Sequence, residues 1–113
     1  MDEKMYQHLA DGALKLIEDL FVDVDAEDVD CERSGDVITL TMRGNKKCVV
    51  NTQRPTKQLW LAANAQAWHF SFDEKINRWM DDKGGGFEIF ETIGNIVRES
   101  AGVVVSFPKR PTK

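Results

Sequence analysis

The apolar residues of this chain change their period twice, and that change restricts the fold more than any other feature. Between residues 4 and 22, Tyr6, Leu9, Ala13, Leu16, Ile17 and Leu20 recur at helical spacing and define one stripe. His8, Asp11, Lys15, Glu18 and Asp19 occupy the opposite arc. From Val29 the period becomes two. Val29, Cys31 and Arg33 alternate with Asp30 and Glu32, Ser34-Gly35-Asp36 makes a turn, and Ile38, Leu40 and Met42 alternate with Val37, Thr39 and Thr41. Gly44-Asn45 turns the chain into a third strand, Lys47–Thr52, with Cys48 and Val50 on the core side. Pro55 places a loop before three further strands at 58–63, 67–73 and 76–80. Asp82 to Gly86 is a loop, after which Phe87, Phe90, Ile93, Gly94 and Val97 mark a second helix, with Glu88, Glu91, Asn95 and Arg98 outside. Gly102 suits its C-terminal cap, and residues 103–107 continue as a short extended tail.

Helix, six-strand meander, helix, each with one apolar face, predicts an α+β two-layer sandwich. Both helices pack on one face of a six-stranded antiparallel sheet, because tight turns join the strands. The other face of the sheet then meets water. A chain of 113 residues holds one core, so a single domain over residues 1–113 is expected. No apolar run approaches the length of a membrane span. The acidic start, MDEKMYQHLADGALKL, reads as neither a signal nor a transit peptide. Cys31 and Cys48 are too few and too far apart for a disulfide framework or a zinc site, and each falls on an apolar strand face as a buried thiol. A cytoplasmic protein is expected.

Enzymatic chemistry finds little support. The Gly84–Gly86 triplet lacks the pattern of a phosphate-binding loop, and no Ser or Cys sits in a nucleophile motif. His69 reads as a solvated sheet residue, and the carboxylates line a convex face that excludes no water. No enzyme is expected.

Two features ask for a function. The first is charge. Residues 1–32 hold eleven Asp or Glu against Lys4 and Lys15, whereas residues 33–113 hold eight acids and thirteen bases. Glu3, Asp11, Glu18, Asp19, Asp23, Asp25, Glu27, Asp28, Asp30 and Glu32 form an acidic ridge along the helix, its following loop and the first strand. Such a ridge repels nucleic acid and attracts cations or a basic protein. Several of these acids crowd the helix C-terminus, where the macrodipole opposes negative charge, so neutralising Glu18, Asp19 and Asp23 is expected to stabilise the fold. Clustered carboxylates suit hard cations, iron among them, through weak, surface-bound and poorly selective sites. His8 adds a nitrogen for Co²⁺, with Mn²⁺ served by oxygens alone.

The second feature is Trp60. In the stretch NTQRPTKQLWLAA, Leu59, Leu61 and Ala63 take the core face, which leaves Trp60 outward beside Gln58, with Asn51 and Gln53 outward on the preceding strand. An exposed aromatic among amides is the composition of a contact surface.

The chain resembles the frataxin family in its bacterial form, from about residue 4 to residue 107. The most specific match is N-x-Q-x-P-x-x-Q-x-W-L-A, met by Asn51, Gln53, Pro55, Gln58, Trp60, Leu61 and Ala62. HLAD with a following IE in the first helix, DCE at Asp30–Glu32 and WHF at Trp68–Phe70 support it. The resemblance implies a helix–sheet–helix sandwich and an iron-binding (Fe²⁺/Fe³⁺), non-enzymatic regulator of iron–sulfur cluster assembly, with the roles of iron donor and iron sensor both left open. Its partners would be the cysteine desulfurase and the iron–sulfur scaffold protein, docked through Asn51, Gln53, Gln58 and Trp60. Neither nucleic acid nor membrane is implied, and the protein would be a monomer, with metal-induced oligomers left open. One departure stands out: Ala67 replaces a basic residue of the mitochondrial members, so any contact made by that residue is either absent here or supplied by Arg54 or Lys57. An electrostatic adaptor with incidental metal binding, and a ferroxidase-type enzyme on the ridge, are the alternative readings.

Overall fold

A computed structural model describes residues 1–105 of the chain. Its elements run α1 (Glu3–Leu20), β1 (Val29–Ser34), β2 (Val37–Met42), β3 (Lys46–Gln53), β4 (Gln58–Ala63), β5 (Gln66–Asp73), β6 (Arg78–Asp81) and α2 (Ile89–Ala101). The strands form one antiparallel sheet in sequence order, as the short connections require. Both helices lie on one face, as expected for the two-layer sandwich. No helix among the described residues is long and apolar enough to cross a membrane.

The core lies between the helices and the inward row of each strand. Ile38, Leu40, Cys48, Val50, Leu59, Leu61 and Phe70 from the sheet meet Tyr6, Leu14, Ile17, Ile93 and Val97 from the helices. The helical stripe is rotated from the expected one. Ala10 and Leu14 are buried, whereas Leu9, Leu16 and Leu20 are only half-buried at its margin. Asp2 caps α1 by accepting from the Met5 N–H at 2.7 Å, and Gly102, with a φ of +68°, ends α2 in the left-handed conformation.

The start of α2 departs from its sequence pattern. Phe87 was expected inside and Glu88 outside; instead Phe87 is 48% exposed and Glu88 only 1%. The helix begins at Ile89, so helical periodicity does not govern either residue. Glu88 is the N-cap, its backbone extended and bridged to Met80, and its carboxylate accepts from the Glu91 N–H at 3.0 Å. Beyond α2, Val103 and Val105 pack on the core, while residues 106 and 107 of the expected tail lie outside the described part.

Cys48 is fully buried and Cys31 half-buried. Burial pushes their thiols up, from 9.0 to about 12 for Cys48 and to about 11 for Cys31, the latter helped by Glu18 and Asp30. Both therefore stay protonated at neutral pH. A thiol harder to ionise folded than unfolded contributes stability that is complete below pH 9 and lost as pH rises towards the folded value. Denaturant titrations should show the Cys48 contribution falling by roughly 2 kcal/mol between neutral pH and about pH 10.5, and Cys48→Ala should flatten that slope.

Candidate functional site

β3 and β4 pair in a register that places Asn51 opposite Trp60 and Gln53 opposite Gln58. Because Val50, Leu59 and Leu61 are buried, this block of four faces away from the helices. The sequence-predicted docking residues are thus brought together on the outer face of the sheet. The loop between them is tied to α1 from beneath. The Tyr6 hydroxyl, itself buried, donates to the Gln58 carbonyl at 2.7 Å and accepts from the Gln53 N–H at 3.2 Å. Burial raises the Tyr6 pKa, so the phenol keeps its proton for that bond. Arg54 adds an ion pair with Glu3 at 2.9 Å.

Trp60 is half-buried rather than free-standing. Its indole N–H donates to Gln58 Oε1 at 2.8 Å, and its ring stacks on His69 with centroids 4.1 Å apart and planes inclined by 13°. Gln58 Nε2 in turn donates to Ser71 Oγ at 3.1 Å and to Asp82 Oδ2 at 2.9 Å. The same Asp82 oxygen lies 3.9 Å from His69 Nδ1. His69 is therefore not merely a solvated sheet residue, and neither it nor Asp82 was picked out by sequence. The signal for His69 was available: a two-residue turn between Ala63 and Gln66 pairs Trp60 with His69. Nothing in the local pattern of Asp82 signals its role.

The acidic ridge is real but divided. β1 points Val29, Cys31 and Arg33 towards the helices, and Arg33 lands beneath the acidic side of α1. Its guanidinium donates to Asp11 Oδ1 at 2.6 Å, Glu18 Oε1 at 3.1 Å and the Gly35 carbonyl at 2.9 Å. Those carboxylates push the Arg33 pKa up, and the single guanidinium offsets part of their joint charge. Asp28 pairs with Arg43 at 2.7 Å, and Glu3 with Arg54. Among the described residues no cation pairs with Asp19, Asp23, Asp25, Glu27, Asp30 or Glu32. His8 is exposed one turn before Asp11. No three Asp, Glu, His or Cys side chains converge on a point that could hold a metal ion among the described residues. A cation on this ridge would thus take one or two carboxylates and complete its shell with water.

The charge strain expected at the helix end survives only in part. α1 has no basic residue in its last turn, so Asp19 and Asp23 oppose the macrodipole uncompensated, whereas Arg33 already offsets Glu18. Asp19→Asn and Asp23→Asn should each raise stability by about 0.3–1 kcal/mol at low salt. Glu18→Gln should be neutral or slightly destabilising, because it removes an ion pair rather than a repulsion. Urea denaturation of the three variants checks the contrast.

Only the strand end of the ridge shares a sheet face with the block: Asp30 and Glu32 point outward on β1, and Trp60 lies three strands away, about 14 Å across the strands at ordinary spacing and level with Ser34.

Comparison with known proteins follows this geometry closely. The frataxin-like domain family matches residues 1–103. The iron-sulfur cluster assembly protein CyaY of Pseudomonas fluorescens is 35% identical over 107 residues, covering 95% of this chain and 96% of that protein. Among solved structures, frataxin from Psychromonas ingrahamii, of the CyaY family, superposes with a TM-score of 0.85 at 26% identity, over 96% of this chain and all of that one. The trimeric frataxin of Saccharomyces cerevisiae complexed with ferrous iron shares the fold, with a TM-score of 0.66 at 23% identity over 91% of this chain and 88% of its own.

Proposed function

This chain belongs to the frataxin-like family, and on that premise we propose that it serves iron–sulfur cluster assembly as a non-enzymatic, iron-binding regulator in the bacterial cytoplasm. It docks on the cysteine desulfurase–scaffold complex through the sheet face that Asn51, Gln53, Gln58 and Trp60 build. The carboxylates left open by Arg33 and Arg43 carry Fe²⁺ or Fe³⁺ as cargo and attract a basic partner surface. The observation that supports this reading most is the sheet face that Asp30 and Glu32 share with the block. About 14 Å across the strands and about 7 Å along them separate Glu32 from Trp60, well within a standard interface of roughly 800 Å² per partner. One protein can therefore cover both, so that metal on the ridge alters how the partner sits.

A pull-down with purified cysteine desulfurase and scaffold, with ferrous iron and with chelator, tests the reading. Retention should change between the two conditions and fall with salt, since the ridge acts through screened charge. That no three donors converge among the described residues favours a second reading, an electrostatic adaptor whose metal binding is incidental. Retention that is the same with chelator as with iron would establish that one instead.

Titration with Fe²⁺, Co²⁺ or Mn²⁺ supplies an independent expectation. Amide signals from Asp19 to Glu32 should respond most, Asp11 and Glu18 less because Arg33 occupies them, and the block around Trp60 not at all. His8 should respond to Co²⁺ in particular. Affinity should be about micromolar or weaker and should fall at low pH as carboxylates take up protons. A single tight site on the sheet face would contradict the assignment.

A further inference from the structure

Gln58 has the least freedom of the four docking residues. Both N–H bonds of its amide are engaged inside the protein, one by Ser71 and one by Asp82, and its oxygen accepts from Trp60. A side chain so committed has no donor left to offer a partner. The indole is committed too: its N–H is spent on Gln58, and His69 covers one of its faces at 4.1 Å. Any exposure that Trp60 retains therefore lies on the opposite ring face and the rim.

We infer that Gln58, His69 and Asp82 form a clamp that holds Trp60 in one orientation and presents a single indole face, so that all three are positioning residues rather than contacts. The three come from different strands and the loop after β6, so the clamp exists only in the folded sheet. Its physical effect is preorganisation. A tryptophan already fixed in its bound rotamer loses less side-chain freedom when a partner closes over it. The stack contributes because π-systems prefer offset contact at about this centroid separation. The hydrogen bond contributes because the indole N–H would otherwise point into an interface that must satisfy it. Asp82 fixes the amide orientation of Gln58: a carboxylate accepts only, so it selects the Nε2 end and turns Oε1 towards Trp60.

The clamp is independent of what docks; its consequence for affinity rests on the reading of Trp60 as the contact in cluster assembly. Two measurements keep these apart. In the free, ¹⁵N-labelled protein the Trp60 indole N–H, identified by its loss in Trp60→Phe, should give one sharp signal. Gln58→Ala should speed its hydrogen exchange about tenfold, the weight of one hydrogen bond. His69→Ala should shift and broaden the signal, while His69→Phe, which restores an aromatic ring, should narrow it again. An indole signal unaffected by Gln58→Ala and His69→Ala would overturn the clamp whatever the partner does.

Binding to the purified cysteine desulfurase–scaffold complex is the second measurement. His69→Ala and Gln58→Ala should each weaken it about 2- to 10-fold, as expected for one side chain losing its preorganisation. His69→Phe should restore it. In a Trp60→Ala background, His69→Ala should add nothing, because it acts through the indole. An additive loss in the double variant would overturn the positioning role and make His69 a contact. If Trp60→Ala binds normally while the indole signals behave as described, the clamp stands and the docking reading fails.

Discussion

Leu61→Ala is expected to lower stability by about 2–5 kcal/mol, the range for truncating a fully enclosed leucine. Leu61 is 1% exposed and Leu59 is completely buried, both on the row of β4 that meets the helices. β4 is a central strand of the six-stranded sheet, bonded on both edges, so the packed neighbours of Leu61 cannot collapse into the space. Leu59→Ala should behave alike. The loss should appear in thermal and urea unfolding as a shifted midpoint with an unchanged slope, because the native surface is the same. It should leave partner affinity intact at temperatures where the variant is folded, since neither leucine reaches the outer face.

Trp60→Ala is expected to show the reverse pattern on the neighbouring residue. Removing it leaves no enclosed cavity, only the lost stack on His69 and the lost bond to Gln58, together about 1–3 kcal/mol of stability. Partner binding should drop by about 2 kcal/mol or more, the scale of a central aromatic anchor in an interface. Thermal melts and desulfurase–scaffold binding on Leu59→Ala, Leu61→Ala and Trp60→Ala separate the two effects. Should Trp60→Ala melt as badly as Leu61→Ala with binding unimpaired, the indole is structural and the docking face lies elsewhere.

The opposite behaviour of adjacent residues follows from the period of two along β4. Alternation alone puts Leu59 and Leu61 on one face and Gln58 and Trp60 on the other, and the burial of the two leucines bears this out. The same local rule placed Asn51, Gln53 and the strand order, because each short turn leaves a strand only its predecessor to pair with. It failed at Phe87 and Glu88, where an extended residue bridged to β6 precedes the helix and the helical period does not yet apply.

The two helices, the six strands, the face each strand side chain takes and the clustering of acids in the first third of the chain are legible in the sequence alone. These are properties of neighbours a few residues apart, where backbone geometry leaves the side chain one direction. Which charges meet is settled by the fold alone. Arg33 reaches Asp11 and Glu18 across 22 and 15 positions, and thereby divides the acidic ridge into a paired stretch and an open one that begins at Asp19. The fold also decided that Trp60 is held rather than loose, by gathering Gln58, Ser71, His69 and Asp82 from separate segments. Such contacts depend on sheet register and on where a helix crosses it. Both are set by how the whole core closes, which no local pattern contains.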